Sequence, residues 1–568
     1  MPVVSVKLWD IARLLGVHLD QDSLLSFFDN FKLEVKKFED DALTYDAPHD
    51  RLDLYSAEGL ARAISYYAGF RRPTKYSISR SDVFVDASGA PDYRPYVLMT
   101  IVRGVRLDDE AISQLFQLQE KLHLSHCGNR ELVSIGLYDL DVLRFPVYYR
   151  EVDTVTFRPL GYERDMSVRE ILAETEKGRE YRHLVKEGRY PLLVDSNGVV
   201  LSLPPIINSE DTKVTEKTRN VLIDVTGTEP YLMASILAVM TLAAYERGAS
   251  GIEVVPVVHG ATTEKLIIEV LMGRKLVVRA ERVLNLIGVG VNFLEALKHL
   301  ERYGYVIESA SESSATVWVP PYRVDVIDED DIIEDIAIFM DYNKIVGKME
   351  PPTNRGIEHP LETISKYLRD ILVGLGFTEV LNFMLTDPDH LIALGFTKFI
   401  DVKNPKMRMY SALRPSLLPG ILKSLSRNVK KYGFQNLKIF EVGDIVDPRT
   451  LDSLRAAAGA IYGPGITLTD GLAAIKTILE VFGLRPQFVR FDEIGLTIDE
   501  RTAAVEIGGV LIGIVGEVHP KHLKYLELKA PVAVFEIFVN KLAEVLGVKV
   551  LGDRNRGMLH SPTRSSFQ

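Results

Sequence analysis

Apolar side chains recur along this chain at two spacings, and the switches between them mark out its elements. Residues 10–15 and 23–28 carry apolar positions at helical spacing, whereas 35–45 reads as extended and 46–53 as a polar connection. Ser56 stands before Leu60, Ala61, Ala63 and Ile64, an N-cap followed by a helical apolar face. Glu58 and Arg62 on that helix predict an i, i+4 pair on the surface. Residues 73–88, rich in Ser, Arg, Pro and Asp, read as a linker. Beyond it, 95–102 reads as a strand, 108–122 as an amphipathic helix and 132–135 as a buried strand. The uncharged run 230–245 is shorter than a bilayer-crossing helix and reads as a helix buried in protein. Helices are expected near 283–286, 293–303 and 363–375, and 436–446 (NLKIFEVGDIV) reads as part of a central antiparallel strand pair.

One stretch changes period within itself. Pro320 and Pro321 bar a helix, and Tyr322, Val324 and Val326 alternate with Arg323 and Asp325, which predicts a short entering strand. From about Asp330, Ile332, Ile333, Ile336, Ala337 and Met340 fall on one arc of a helix and Asp331, Glu334 and Asp335 on the other. Eight carboxylates lie in the seventeen residues from Asp325 to Asp341. If Asp325 approaches the helical trio, the four make an all-oxygen cluster of the kind magnesium takes. Spacing alone leaves open an acidic first turn facing solvent, which the helix dipole favours.

At 568 residues the chain is too long for one core, and three or four domains are expected. With 46% hydrophobic and 26% charged residues it reads as a soluble globular protein, with no basic leader and no membrane span, and the cytoplasm is the expected compartment. Its one cysteine excludes an internal disulfide. A net charge of -11 argues against capture of nucleic acid by the bulk field and leaves a local basic groove open. His123, His126 and Cys127 have helical ligand spacing but no fourth ligand nearby, so no metal is assigned there. Gly288 and Gly290 lack the rest of a dinucleotide motif, and the chain carries neither a GxxxxGK loop nor HExxH. Residues 552–568 are polar and are expected to be disordered.

Several ordered segments carry a family resemblance. The acidic stretch matches PPYRxDxxxxxDxxED at every fixed position, and 51–63 resembles RxDLxxxEGLARA, with His49-Asp50 before it where the family commonly has Asn. LQEKLH (118–123), IGLYDLD (135–141), LPPIINSE (203–210) and IDVTGT (223–228) resemble segments of an editing domain, and 414–428 with 436–446 resembles a class II synthetase-like domain. Together they resemble the beta subunit of phenylalanyl-tRNA synthetase of the archaeal and eukaryotic type. The resemblance implies an α+β multidomain fold: a small N-terminal α/β module at 1–80, an editing-type α+β domain at 89–272, a compact helical magnesium-binding domain at 273–348, and a class II synthetase-like antiparallel-sheet domain without catalytic motifs at 355–551. It places Mg2+ on Asp325, Asp331, Glu334 and Asp335. It places an editing pocket around Asn208, Ser209, Glu210, Asp224 and Thr226, with Gln119 and Arg130 as further contacts. Glu210 or Asp224 would receive a phenolic proton, and Ser209, Asn208 and the backbone near Gly227 would position water or the ester. The chain departs from the family at 128–131 (GNRE, where a basic GRxR-like stretch is usual) and at Tyr138, where the family has histidine in IGxHD.

The implied role is that of a beta subunit in an alpha2-beta2 phenylalanine-tRNA ligase, with phenylalanine tRNA as partner and ATP as a substrate of the complex. Ligation would fall to the alpha subunit, because the strand around Phe440-Glu441 lacks the class II arginine and 535–546 lacks GxGxGxxR. Two other classes remain: an independent magnesium-dependent hydrolase, for which no phosphate loop is present, and a non-catalytic assembly scaffold.

Overall fold

The computed structural model describes residues 2–261, 264–347, 349, 356–491 and 495–549; the expected tail at 552–568 lies outside the described residues. The chain divides into two compact units, Met1–Met349 and Glu350–Gln568.

The first unit opens with a three-stranded antiparallel sheet in the order Val3–Lys7, Ala42–Asp46, Glu34–Glu39. The helix Ala57–Tyr67 follows, capped by the Ser56 hydroxyl, which accepts from the Gly59 N–H. Every residue from Ala57 to Tyr66 is buried, so the helix has no solvent face. The expected surface pair is therefore absent. Glu58 instead pairs with Arg247 at 2.5 Å, Asp10 meets the same guanidinium at 2.7 Å, and Arg62 lies 3.5 Å from Asp53 and over the Tyr322 ring. Periodicity reports the apolar face of a helix; it is silent on whether other elements also cover the polar face.

Residues 73–88 are not a linker. Ile78–Arg80 joins a five-stranded sheet in the order Ile78–Arg80, Gly251–Val255, Tyr96–Arg103, Asn220–Gly227, Val133–Asp139. Val85–Gly89 joins a six-stranded sheet in the order Ile207–Asn208, Val200–Leu203, Tyr190–Val194, Val147–Val152, Val85–Gly89, Val257–Val258. The helix Pro230–Tyr245 packs on the five-stranded sheet with the bounds its uncharged run predicts, Pro230 starting it where no N–H is needed. Asp109–Leu124 is capped by Asp108, which accepts from Ala111 N at 2.9 Å.

Residues 274–340 are α+β rather than helical. A three-stranded sheet, Arg274–Arg279, Ser314–Val319, Val306–Ala310, carries the helices Ala280–Ile287, Phe293–Leu300 and Glu329–Met340. The strand expected at 322–326 is a pair of turns, because Pro320 and Pro321 end the Ser314–Val319 strand and Arg323 N–H closes on the Pro320 carbonyl at 3.0 Å. One apolar core runs from Val4 to Ile336, so the three regions of this unit share an interior.

The second unit is built on a seven-stranded sheet in the order Thr378–Glu379, Leu437–Val446, Ser453–Tyr462, Val532–Phe538, Val510–Val518, Thr497–Ile507, Gln487–Arg490, antiparallel but for the first pairing. Alternation sends Phe440 and Val442 into a core with the helices Pro360–Gly374, Leu468–Val481 and Val539–Val545, and Ile439 and Ile445 into a core with the helix Leu418–Tyr432. Among the described residues no helix is long and apolar enough to cross a membrane.

Candidate functional site

Asp224 lies mid-strand in Asn220–Gly227, opposite Met99 on one neighbour and Gly136 on the other. Tyr138 is two residues beyond Gly136 and so on the same face of the sheet. Its hydroxyl reaches back over the glycine to within 2.7 Å of Asp224 Oδ1 and 2.8 Å of Ser202 Oγ, which belongs to the six-stranded sheet. A Cβ at position 136 would stand 2.1 Å from both the Tyr138 hydroxyl and Asp224 Oδ1, so this contact requires glycine. Burial pushes the Asp224 carboxyl up to about 7, and the Tyr138 hydroxyl and the Arg94 charge pull it only partly back. Among the described residues no protein group bonds Asp224 Oδ2.

Asp224, Tyr138 and Ser202 form one wall of a cleft of about 220 Å³ between the two sheets. Phe116 and Gln119 of the Asp109–Leu124 helix and the run Pro204–Ile207 supply mostly apolar walls, and Asn208 and Ser134 add polar ones. Lys177 and Arg130 bring positive charge. Arg130 donates to Ile206 O at 3.1 Å and to Glu120 at 3.0 Å, with its guanidinium 4.6 Å over the Tyr181 ring. Apolar walls, a few convergent polar groups and a carboxyl that titrates near neutrality are what a small-molecule or catalytic site requires.

The structure thus brings Gln119, Arg130, Asn208 and Asp224 to one cleft, Gln119 being held by its amide donation to Ile135 O at 2.7 Å. Ser209, Glu210 and Thr226 are not among the residues that line it. After Asn208 the chain leaves the strand and turns through Glu210–Thr212. Ser209 Oγ then accepts from Asp211 N–H at 3.3 Å, and Glu210 accepts from Gly161 N–H at 2.9 Å and pairs with Lys213. Burial would raise the Glu210 carboxyl, but those two partners hold it below its usual value. Thr226 shares the face of Asp224, but its hydroxyl meets Ser134 at 2.9 Å and Arg94 Nε at 3.2 Å. Sequence reasoning missed Gly136, Ser202 and Lys177 as site residues. The period-two spacing of Gly136 and Tyr138 was the available signal, since it sets both on one face of the same strand. His123 Nε2 accepts from Ile135 N–H at 2.9 Å, and burial lowers its pKa to about 4. Cys127 is buried, its thiol pushed up to about 12.

The four acids assigned to magnesium do not converge. Asp325 and Asp335 lie on either side of the buried Arg323 guanidinium, at 2.7 and 2.8 Å, and Asp335 also accepts from the Tyr305 hydroxyl at 2.6 Å. Burial would raise the Asp325 carboxyl, yet Arg323 holds it low. Asp331 Oδ2 accepts from the N–H groups of Ile327 and Asp328 at 2.6 and 3.0 Å, as part of a capping box. Glu334 is exposed and reaches Lys32 at 3.1 Å. Among the described residues no group of three His, Cys, Asp or Glu side chains is placed to share a metal ion. The protein's own arginine stands between the two acids a cation would bridge, and this arrangement does not fit magnesium.

In the second unit, Glu441, Ala458 and Glu536 lie in register on three adjacent strands, on the face covered by Leu418–Tyr432. Glu441 is buried against Arg414 at 2.6 Å and Asn382 Nδ2 at 2.7 Å. Glu536 accepts from Leu417 N–H at 2.7 Å and Ser416 at 2.9 Å, and burial pushes it up to about 7. These acids are sealed under a helix and its leucines. No arginine stands on Leu437–Val446 or Val532–Phe538.

Comparison with known proteins matches residues 110–257 to the B3/4 domain, 276–342 to the tRNA synthetase B5 domain and 348–539 to the phenylalanyl tRNA synthetase beta chain CLM domain. The chain is 38% identical over 562 residues to the phenylalanine-tRNA ligase beta subunit of Thermofilum pendens, covering 95% of this chain and 98% of that one. It is 35% identical over 562 residues to the beta subunit of Pyrococcus furiosus, covering 95% and 100%. A crystal structure of an N-terminal fragment of the phenylalanyl-tRNA synthetase beta-subunit from Pyrococcus horikoshii superposes with a TM-score of 0.54 at 37% identity, over 59% of this chain and 99% of that one. The chain belongs to the phenylalanine-tRNA ligase beta subunits, and so forms part of an aminoacyl-tRNA synthetase.

Proposed function

We propose that the cleft around Asp224 is a proofreading site that hydrolyses tyrosine wrongly esterified to phenylalanine tRNA, within an alpha2-beta2 enzyme whose alpha subunit performs the ligation. The chemistry demands such a site, because tyrosine differs from phenylalanine by one hydroxyl and an apolar synthetic pocket rejects an added hydroxyl only weakly. A second pocket that hydrogen-bonds the hydroxyl discriminates in the opposite sense, since phenylalanine leaves its buried polar group unpaired. The observation that carries the reading is the buried Asp224 carboxyl with Oδ2 free of protein partners, at the wall of a cleft otherwise lined largely by apolar side chains.

In this reading the tyrosyl phenol donates to Asp224, and Ile206, Ile207 and Phe116 pack on its ring. Asn208 and Ser134 orient the ester, and Lys177 and Arg130 favour the anionic tRNA end. Water adds to the acyl carbon, and the ribose oxygen leaves with a proton. Selective deacylation of tyrosyl-tRNA over phenylalanyl-tRNA by the assembled enzyme, lost in Asp224→Ala with aminoacylation intact, is the expected result; equal, uncatalysed decay of both esters refutes the reading.

ATP is a substrate of the assembled enzyme and binds, with the magnesium that accompanies it, at the alpha subunit. The helix-covered face of Glu441 and Glu536 and the lack of arginine on their strands support that division of labour. The same dispersal of acids weighs against an independent magnesium hydrolase.

A further inference from the structure

The proofreading reading assigns Asp224 to the substrate's phenol, yet the protein already offers that carboxyl a phenol of its own. Tyr138 takes Oδ1 at 2.7 Å, and its second polar contact, Ser202 Oγ at 2.8 Å, anchors the hydroxyl from the other sheet. Tyr138 is placed as donor toward both Asp224 Oδ1 and Ser202 Oγ, and since one hydroxyl proton serves one donation the charge of the carboxylate draws it to Asp224. Gly136 shows that the contact is built into the fold, for any side chain there would force Tyr138 and Asp224 apart. The trio is buried, so water does not compete for these bonds.

We propose that Tyr138 is a positioning residue that occupies one oxygen of Asp224, so that the cleft reads an incoming side-chain hydroxyl through the other oxygen alone and distinguishes tyrosine from phenylalanine less sharply than an unoccupied carboxyl would. A carboxylate already accepting one strong hydrogen bond is a weaker acceptor for a second, and an empty cleft leaves it less starved of partners. Both effects lower the penalty that phenylalanine incurs by failing to donate. Removing the Tyr138 hydroxyl while keeping its ring restores that penalty without changing the shape of the apolar walls.

This inference rests on the proofreading reading for its ligand class, and the test separates the two. The full-length chain assembled with an alpha subunit is titrated with the non-hydrolysable amides of tyrosine and of phenylalanine with 3'-amino-3'-deoxyadenosine, in wild type and in Tyr138→Phe. The expected result is a tyrosine-to-phenylalanine affinity ratio about tenfold higher in the variant, with the tyrosine amide bound more tightly and the phenylalanine amide more weakly than in wild type. Ser202→Ala, which removes the anchor and leaves Tyr138 in place, is expected to shift the ratio the same way by a smaller factor. An unchanged or reduced ratio in both variants overturns the role of Tyr138. Deacylation assays on the same preparations judge the other reading. Selective tyrosyl hydrolysis by wild type with no change of ratio in the variants leaves proofreading standing and removes Tyr138 from it. A raised ratio with no hydrolysis by any protein keeps the Tyr138 inference and ends the proofreading one.

Discussion

At Gly136 the absence of a single methyl group decides whether Tyr138 and Asp224 touch. Gly136→Ala sets a Cβ 2.1 Å from Asp224 Oδ1 itself, so unlike removal of the Tyr138 hydroxyl it displaces the carboxyl that reads the phenol, and it is expected to lower selective tyrosyl-tRNA deacylation about a hundredfold, with phenylalanine charging unchanged. Comparative deacylation and charging assays on the assembled enzyme check it. Asp224 also predicts a pH dependence. Its carboxyl titrates near 7 because of burial, so the ionised form that accepts a phenol is lost as pH falls, and tyrosyl deacylation should decline below about pH 7. Stability runs the other way. The folded chain binds a proton at Asp224 that the unfolded chain has already released, so between the ordinary carboxyl range and about 7 this group's stabilising contribution fades as pH rises. Asp224→Asn, uncharged throughout, should flatten both profiles, and a variant that retains either slope removes Asp224 as its source.

The acidic helix Glu329–Met340 shows how an element acquires its partners. Asp331 closes the helix start, Glu334 faces Lys32, and Asp335 turns inward to share Arg323 with Asp325. Arg323→Met strands two buried acids, which typically costs 3–5 kcal/mol for a broken buried pair, so about 3 kcal/mol or more of stability should be lost, seen as a lowered denaturation midpoint. Because Arg323 already supplies the cation, adding magnesium or removing it with EDTA should leave the wild-type midpoint unchanged in the absence of ATP. A magnesium-dependent rise would show that the acids rearrange to take the metal.

On the scale of the molecule, the continuous core from Val4 to Ile336 makes the first unit self-sufficient in buried apolar area. A fragment of residues 1–347 is expected to fold alone with a single cooperative transition and native near-ultraviolet circular dichroism; a molten or aggregated fragment would show that the second unit is needed. The second unit carries a seven-stranded sheet, one face of which is filled by Leu418, Ile421, Leu422 and Leu425 around the sealed Glu441 and Glu536. ATP–pyrophosphate exchange dependent on phenylalanine should be absent from the purified chain and appear when an alpha subunit is added. Exchange by the chain alone would contradict the assignment of ligation to the partner.

Several elements were legible in the sequence because their causes are local. Pro230 opening the uncharged helix, Ser56 as a cap, the apolar face of 108–122 and the strand run 436–446 act over a few residues, and all appear where the sequence puts them. Asp224, Asn208 and Gln119 were named through short matched segments and Arg130 through the resemblance as a whole, and the four meet in one cleft. What the sequence could not determine was partnership between charges and hydroxyls far apart in the chain. Asp10 and Glu58 meet Arg247, Tyr138 meets Ser202 across two sheets, and Arg323 takes the place first given to magnesium. Periodicity tells which side chains share a face, and three acids at helical spacing share one whether solvent, an arginine or a metal lies opposite. Only the packing of the other elements decides which, because the cost of burying a charge is set by what faces it in space.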